Sequence, residues 1–309
     1  MHVSIIFLTY FIISVCNSVL HFLGGITLWS MMTTEASSQQ LLLLSLSINE
    51  CLQSCTWVVF NIMKLCDISI FSHRPMQFVL NQAVGLLWIL YIIMVCMTLD
   101  RLCAVLFGLR YPLYWDSRKT KILLIIIWCL GAVTVLFYDV LVSILGFAEF
   151  ARLAYGKRYT YVRVVMSLLY TCLAVGTYVV LFCFYVKSRR AVRSSQRGNI
   201  VERVDEQQSV LKMFMDTKFY ISLLIILTYI LFSCVPLCIR SLFLPNRPDG
   251  GMLQNMHNLL LHLGFMSDAV IYIFLRKKVR KKFFRLVACR CWKHDDAAHE
   301  LNTVQQSEM

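Results

Sequence analysis

Charged side chains are scarce in this chain of 309 residues. Asp, Glu, Lys and Arg make up 15% of the sequence, whereas a soluble globular domain contains about a quarter. The sequence has no Asn-x-Ser/Thr site for glycosylation, and none of its 13 cysteines stands at a spacing typical of a disulfide framework or a zinc site. These shortages exclude a small disulfide-rich domain and a zinc module, and the lack of charge indicates a chain whose main solvent is lipid.

Long apolar runs take the place of the missing charge. Hydrophobic residues make up 59% of the chain, and its mean hydropathy is +0.67. A helix needs roughly 20 mostly apolar residues to cross a bilayer, and seven stretches qualify: 3–29, 39–63, 77–105, 121–145, 161–186, 219–243 and 252–275. They lack the period-two alternation of membrane strands. The sequence therefore predicts an all-α integral membrane protein, with a seven-transmembrane helix bundle in residues 1–275.

Lysine and arginine are distributed unevenly between the connections. With the N-terminus outside, 22 of the 30 basic residues fall on the inner side, which is the side that positive charge favours. No basic leader or small-residue cleavage site precedes the first apolar run, so we interpret this run as a retained helix. The net charge of +13 favours a membrane surface over nucleic acid, because the basic residues lie between apolar runs. We expect a multi-pass protein of the plasma membrane with a cytoplasmic C-terminus.

The chain after the seventh stretch divides into two parts. Residues 276–291 begin with a basic run that includes Val279, Phe283 and Phe284, which predicts a short amphipathic helix on the anionic inner leaflet. Cys289 and Cys291 stand where palmitoylation is expected; the alternative is two free thiols. Residues 292–309 are polar and predict a disordered cytoplasmic tail.

Several short motifs follow one another along the chain in a known order. Asp100-Arg101 ends the third stretch, Glu50 lies in Leu-Ser-Leu-Ser-Ile-Asn-Glu of the second, and Pro236 lies in Ser-Cys-Val-Pro of the sixth. The seventh contains Asp268-Ala-Val-Ile-Tyr272. Further positions in the first, fourth and fifth stretches are held by Asn17, Trp128 and Tyr185. Over essentially the whole chain, this pattern resembles that of the rhodopsin-like (class A) G-protein-coupled receptors.

The chain also departs from the family pattern. Leu102 replaces the tyrosine after the Asp-Arg pair, Ala269 replaces the proline of the seventh helix, and Cys234 replaces the tryptophan of the sixth. Met76 stands where the third helix has its outer cysteine, so the family's outer disulfide cannot form. The seventh stretch has no lysine, which excludes a retinal Schiff base. Ala83 stands where amine receptors have an aspartate, which argues against a biogenic amine ligand.

The resemblance implies an inner lock made by Arg101 with Asp100 and Asp216. Arginine is always charged and needs an acidic partner at a helix end of low dielectric; its alternative role is to snorkel to lipid headgroups. We expect the lock to hold the third and sixth helices together at rest, so that outward movement of the sixth helix frees Arg101 for a G protein. Tyr185 and Tyr272 belong to the same G-protein-coupling set.

Asn17, Glu50 and Asp268 are expected to share one layer inside the membrane. Counted from the cytoplasmic end of each helix, they lie about 18, 16 and 11 Å deep at about 1.5 Å per residue. Two carboxylates at this depth cannot both ionise unless a cation or a proton intervenes. Because the family has a sodium site here, the resemblance implies Na⁺ or a shared proton. The alternative is a polar knot that only packs helices.

Two further features concern movement and ligand binding. Pro236 removes a hydrogen bond within the sixth helix and predicts a hinge, with a static kink as the alternative.

The candidate ligand-binding residues are Asn81, Gln82, Trp88, Arg240, His257 and His262. Each also has an interpretation as a loop-facing or helix-packing group. His257 and His262 are five residues apart and do not share a helix face, so a metal pair is not expected.

These observations predict a receptor that transmits an extracellular stimulus, a small molecule or a peptide, to a heterotrimeric G protein. Arrestin, receptor dimers and membrane lipids are further expected partners, and no cofactor other than Na⁺ is expected. One alternative is an ion- or proton-coupled transporter or channel, with Glu50 and Asp268 along the path. A second is a receptor-like protein that does not signal by itself. An enzyme is not expected, because the sequence offers no convincing serine–histidine or metal cluster.

Overall fold

The computed structural model describes residues 2–32, 37–66, 74–107, 111, 115–145, 157–195, 217–243 and 252–287. These residues form helices, with no strand among them. In chain order the helices are α1 (His2–Ser30), α2 (Ser38–Leu65), α3 (Arg74–Phe107), α4 (Ser117–Leu145), α5 (Lys157–Ser195), α6a (Thr217–Tyr229), α6b (Val235–Phe243), α7 (Met252–Phe274) and α8 (Lys277–Val287). A π-helical turn, Ile230–Cys234, joins α6a to α6b.

Each of the seven predicted stretches lies on a helix, and only the last extends past its helix, by one residue, to Leu275. Among the described residues, six helical runs are long and apolar enough to cross a membrane: Leu8–Ser30, Ser38–Met63, Asn81–Ala104, Ser117–Phe137, Tyr220–Ile239 and Met256–Phe274. The apolar run on α5, Val164–Val180, is shorter. The prediction of an all-helical protein of membrane type is confirmed at this level.

The outer surface of the helices is apolar. On α4, Ile125, Leu130 and Leu136 are 62%, 56% and 64% exposed, although large aliphatic side chains are among those most often buried in soluble proteins. These side chains lie on a helix that is long enough to span a bilayer. Their exposure is therefore what a lipid-facing surface requires.

The centre of the core lies between α2 and α3. Residues with no exposed surface there are Leu43, Leu46, Leu90, Ile93 and Met94. α4 is attached to this core by Trp128, whose Nε1 donates a hydrogen bond to Ser45 Oγ on α2 at 3.0 Å. The interior thus combines aliphatic packing with hydrogen bonds between helices, which is common where lipid surrounds the protein.

α3 and α4 approach closely at two glycines. A Cβ atom on Gly131 would lie 2.3 Å from Ile89 Cδ1, and one on Gly85 would lie 2.2 Å from Val135 Cγ2. Small residues permit such close helix contacts in membranes. The two glycines therefore determine how near α4 lies to the core.

The sixth helix is interrupted immediately before its proline. Pro236 has no backbone N–H to donate to the preceding turn, and the N–H of Val235 bonds to the carbonyl of Ile230, five residues earlier. The sixth helix is therefore interrupted by a π turn, an irregularity that is common next to a proline. The predicted hinge at Pro236 thus coincides with an observed irregularity of the helix, and its movement stays a prediction.

α8 follows α7 after a break of two residues and is amphipathic, as the sequence predicts. Val279 and Phe283 are buried, and Phe283 packs on Phe274 of α7 with a ring-centroid distance of 6.1 Å. Lys282 Nζ donates to the carbonyl of Ser30 at 2.6 Å, which joins α8 to the end of α1. The predicted palmitoylation sites, Cys289 and Cys291, and the predicted tail, 292–309, lie outside the described residues.

Candidate functional site

Asp100 and Arg101 lie at the end of the apolar part of α3 and are only 4% and 8% exposed. Arg101 donates to Asp100 Oδ2 through Nε at 2.9 Å and through a second contact from Nη2. Asp100 Oδ1 accepts from Ser38 Oγ at 2.9 Å and from Tyr111. The carboxylate thus accepts four hydrogen bonds, which is the full capacity of the group.

Ser38 at the start of α2 connects this carboxylate to two further side chains. Its hydroxyl oxygen accepts from Thr120 Oγ1 at 2.8 Å and from Trp115 Nε1 at 3.1 Å, while its proton goes to Asp100. The single donor and both lone pairs of the hydroxyl are therefore used. We call Ser38, Asp100, Arg101, Tyr111 and Trp115 the inner knot.

Tyr111 contributes to the inner knot as a neutral donor. Burial, and next the negative charge of Asp100, raise the pKa of the Tyr111 phenol well above its usual range. The phenol therefore keeps its proton and goes on donating to Asp100. Arg101 donates to the same carboxylate. The inner knot therefore keeps the guanidinium group close to Asp100, on the surface of α3.

Three residues remain of the set predicted for the inner lock and G-protein coupling. Tyr272 is fully buried beside Ser47 on α2, with 2.9 Å between the two hydroxyl oxygens, and the other two are not described in full. Asp216 lies outside the described residues, and Tyr185 lies on α5 with a side chain outside the description. The expected contact between Arg101 and Asp216 therefore stays a prediction. Sequence reasoning missed Ser38 and Tyr111, because the residues that reach Asp100 come from a helix start and a connection, where no periodic pattern places them.

A second polar cluster lies in the middle of the helices. Glu50 and Tyr272 are fully buried, and His21 and Asp268 are each 1% exposed. His21 Nδ1 lies 3.3 Å from Glu50 Oε2 and 3.2 Å from the Tyr272 hydroxyl. Asp268 is close enough to Glu50 to interact with it electrostatically. We call these four residues, together with Ser47, the buried layer.

The hydrogen bonds of the buried layer determine where its protons lie. His21 Nε2 is 2.9 Å from the carbonyl oxygen of Phe265, so it carries a proton and donates. Ser47 donates to the carbonyl of His21 at 2.8 Å, so at 2.9 Å its oxygen accepts from Tyr272. The Tyr272 oxygen then faces His21 Nδ1 as an acceptor. A further proton on Nδ1 would face both the Tyr272 oxygen and Glu50 Oε2. A further proton on Glu50 would face Nδ1 and would leave the contact between Nδ1 and the Tyr272 oxygen without a donor.

Asp268 connects the buried layer to the sixth helix. Thr228 Oγ1 on α6a donates to Asp268 Oδ1 at 2.6 Å. Several oxygen atoms near the middle of the helices have no hydrogen-bond partner of ordinary geometry in the described part of the chain: Glu50 Oε1 and Oε2, Asn17 Oδ1, Asn49 Oδ1 and Ser54 Oγ. Two buried carboxyl groups as close together as Glu50 and Asp268 require added positive charge, from a proton or a cation.

The structure brings Glu50 and Asp268 together as predicted, but it places Asn17 elsewhere. Asn17 Nδ2 donates to the carbonyl of His262 at 2.9 Å, and the side chain of α1 that meets Glu50 is His21. His21 is four residues after Asn17 and therefore on the same helix face. A polar side chain repeated at this spacing in an apolar helix is the signal that could have identified it.

The residues predicted to bind a ligand do not converge on one described cavity. His262 is 1% exposed and packs among aromatic rings, with centroids 5.4 Å from Trp57 and 6.0 Å from Tyr10. Asn81 and His257 are buried too. Gln82 and Trp88 are half-buried. Arg240 lies on α6b, and its side chain is not among those that the structure describes.

Comparison with known proteins gives no match, either to a protein-family model or to a curated protein. Within the described ranges, no group of three or more His, Cys, Asp or Glu side chains is arranged to hold a metal ion. The family resemblance therefore depends on the order of the sequence motifs.

Gly24 provides the space that Tyr272 needs in the buried layer. A Cβ atom on Gly24 would lie 2.5 Å from the Tyr272 hydroxyl and 2.7 Å from its ring. We expect Gly24→Ala to lower the free energy of unfolding by about 1–3 kcal/mol, as overpacking of a filled site does. Thermal unfolding of the purified protein in detergent, followed by size-exclusion chromatography of the heated samples, measures the change.

The matched control is Gly176→Ala on α5, where a Cβ atom would meet nothing within 4 Å. Its unfolding temperature should equal or exceed that of the wild type, because alanine favours a helix over glycine. Equal unfolding temperatures for Gly24→Ala and Gly176→Ala would show that Tyr272 is not confined as described.

Proposed function

We propose that this protein is a rhodopsin-like G-protein-coupled receptor with seven transmembrane helices, α5 being the fifth. The N-terminus would lie outside the plasma membrane, and the inner knot would face the cytoplasm. The observation that carries the proposal is the position of Asp100 and Arg101. Both lie buried at the end of the apolar part of α3, and Asp100 contacts Ser38 at the start of α2. The positive charge of the connections on that side supports the same orientation.

In this proposal, activation moves the sixth helix away from the others. At rest α6a is attached to its neighbours by Gln39, which donates to Ser222 at 2.8 Å, by Tyr178, which donates to the carbonyl of Leu223, and by Thr228. The π turn before Pro236 is the point about which α6a turns. Its movement opens the face beside the inner knot, so that Arg101 can contact a G protein.

The buried layer is proposed to stabilise the inactive state by taking up one positive charge, Na⁺ or a proton. The donor set fits Na⁺, because hard cations are bound by oxygen atoms and neither oxygen of Glu50 has a hydrogen-bond partner of ordinary geometry among the described residues. Glu50 and Asp268 would hold the ion, which would supply the charge that two buried acids need.

The second candidate is an ion- or proton-coupled transporter or channel. The observation in its favour is the same buried layer, in which two acids and an imidazole lie together within the apolar part of the helices. A receptor uses such a layer as a switch, whereas a transporter conducts through it. Ion flux into vesicles that contain the purified protein distinguishes the two.

The first test of the proposal is basal G-protein activation in transfected cells at matched surface expression. Asp100→Asn removes the carboxylate that holds Arg101. It should raise the ratio of active to inactive receptor by about tenfold, since a hydrogen bond to a charged group contributes about 1.5–3 kcal/mol. Asp216→Ala should raise basal output in the same way if Asp216 is the partner of Arg101 on the sixth helix. Arg101→Ala should abolish output.

Asp116→Asn is the matched control, because it removes a carboxylate from the same side of the protein. Asp116 caps α4 by accepting from the N–H of Lys119 at 2.7 Å, and asparagine caps a helix equally well. Its basal output should equal that of the wild type. Silence of the wild type, Asp100→Asn and Asp216→Ala on every G-protein class at full surface expression would contradict the proposed function.

A second test addresses the buried layer. Replacing Na⁺ in the medium by an organic cation, or changing the pH, should change the basal output of the wild type. Glu50→Gln and Asp268→Asn should remove this dependence, because a neutral amide no longer attracts the cation or takes up the proton. If output responds to neither Na⁺ nor pH in the wild type, the buried layer only packs helices.

A further inference from the structure

A groove of about 360 Å³ lies along the outside of the contact between α1 and α2. Its walls are apolar side chains of both helices, namely Phe22, Ile26, Trp29, Leu44, Ile48 and Leu52. All six belong to helical runs that are apolar and long enough to cross a membrane. The groove therefore opens toward lipid.

Small residues form the base of the groove and leave room between the two helices. Gly25 has no side chain, and a Cβ atom there would already lie 3.3 Å from Ser47 Oγ on α2. Phe22 and Trp29 project outward from α1 and are 59% and 67% exposed. They are seven residues apart, which corresponds to about 10 Å along the helix. This elongated apolar shape suits a single hydrocarbon chain.

One end of the groove lies next to a basic helix. Trp29 directly precedes Ser30, the last residue of the α1 run, and the carbonyl of Ser30 accepts a hydrogen bond from Lys282 Nζ on α8. An ammonium group has three N–H donors, and Ser30 takes one of them. α8 carries no acidic residue, and its basic residues are Lys277, Lys278, Arg280, Lys281, Lys282 and Arg285.

We propose that this groove binds an anionic phospholipid, with one acyl chain between α1 and α2 and the phosphate group against Lys282. The apolar walls account for the chain, and the positive charge beside Trp29 accounts for a preference for anionic headgroups. Lys282 joins α8 to α1, so the bound lipid contacts both helices. The groove is separate from the inner knot, and its base is lined by His21 and Ser47 of the buried layer. Binding of the lipid does not depend on G-protein signalling.

Quenching of Trp29 fluorescence by brominated lipids tests the site. The full-length protein is reconstituted in phosphatidylcholine vesicles that contain brominated phosphatidylglycerol or brominated phosphatidylcholine at equal mole fractions. The difference between wild type and Trp29→Phe gives the quenching of Trp29 itself. We expect the anionic lipid to occupy the site about fivefold more strongly than the zwitterionic lipid, which is the preference that one lysine at a membrane surface supports.

Two controls locate the preference. Lys282→Gln should abolish it, whereas Lys278→Gln, at an exposed position of the same helix, should retain it. In a variant with Trp29→Phe and Leu130→Trp, the added reporter lies on the lipid-facing surface of α4, where the wild-type leucine is 56% exposed. That reporter should show no preference.

Three results would overturn the proposal. The first is equal quenching of Trp29 by the two lipids in the wild type, a comparison that does not depend on whether any Lys282 variant folds. The second is an anionic preference that persists in Lys282→Gln. The third is displacement of both phospholipids by a brominated sterol, which would assign the groove to a sterol.

Discussion

The burial of two carboxyl groups, Glu50 and Asp268, is the constraint on which the arrangement of the helices depends. A charged group in an apolar interior is strongly unfavourable unless it is paired or neutralised. Polar groups from the surrounding helices accordingly meet at this point: His21 from α1, Thr228 from α6a and Tyr272 from α7. Because lipid supplies little hydrophobic drive between helices, this meeting of polar groups does much to determine which helices are neighbours.

The two polar clusters are connected through α6a. Thr228 attaches this helix to Asp268 in the buried layer, and six residues earlier Ser222 accepts from Gln39, the neighbour of Ser38 in the inner knot. A displacement of α6a therefore breaks one contact in the buried layer and one contact beside the inner knot. In the proposed receptor α6a is the helix that moves. A change of charge at Asp268 and a change of contact beside the inner knot would then act on the same helix, which is the physical requirement for coupling between two sites.

Length and composition were enough to predict the helices, because a run of about 20 apolar residues has few alternatives in lipid. The two buried acids were predictable from their rarity in such runs. His21 was not predicted, since the family motif directed attention to Asn17, one helical turn earlier, and only the packing of α1 on α7 shows which of the two faces Glu50. The groove beside Gly25 was equally beyond prediction, because it depends on the distance between two helices and not on the pattern of either one.

The partners of α1 have a consequence for the order of assembly during synthesis. Asn17 and His21 bond to carbonyl groups of α7 that lie 245 and 244 residues later in the chain. At about 5–20 residues per second, the ribosome needs tens of seconds to reach them. During that interval α1 sits in the bilayer with an amide and an imidazole that lack their final partners. α1 precedes the other described helices in the chain and is thus made before them but completed among the last. A protein truncated before α7 leaves these groups for membrane quality control to recognise.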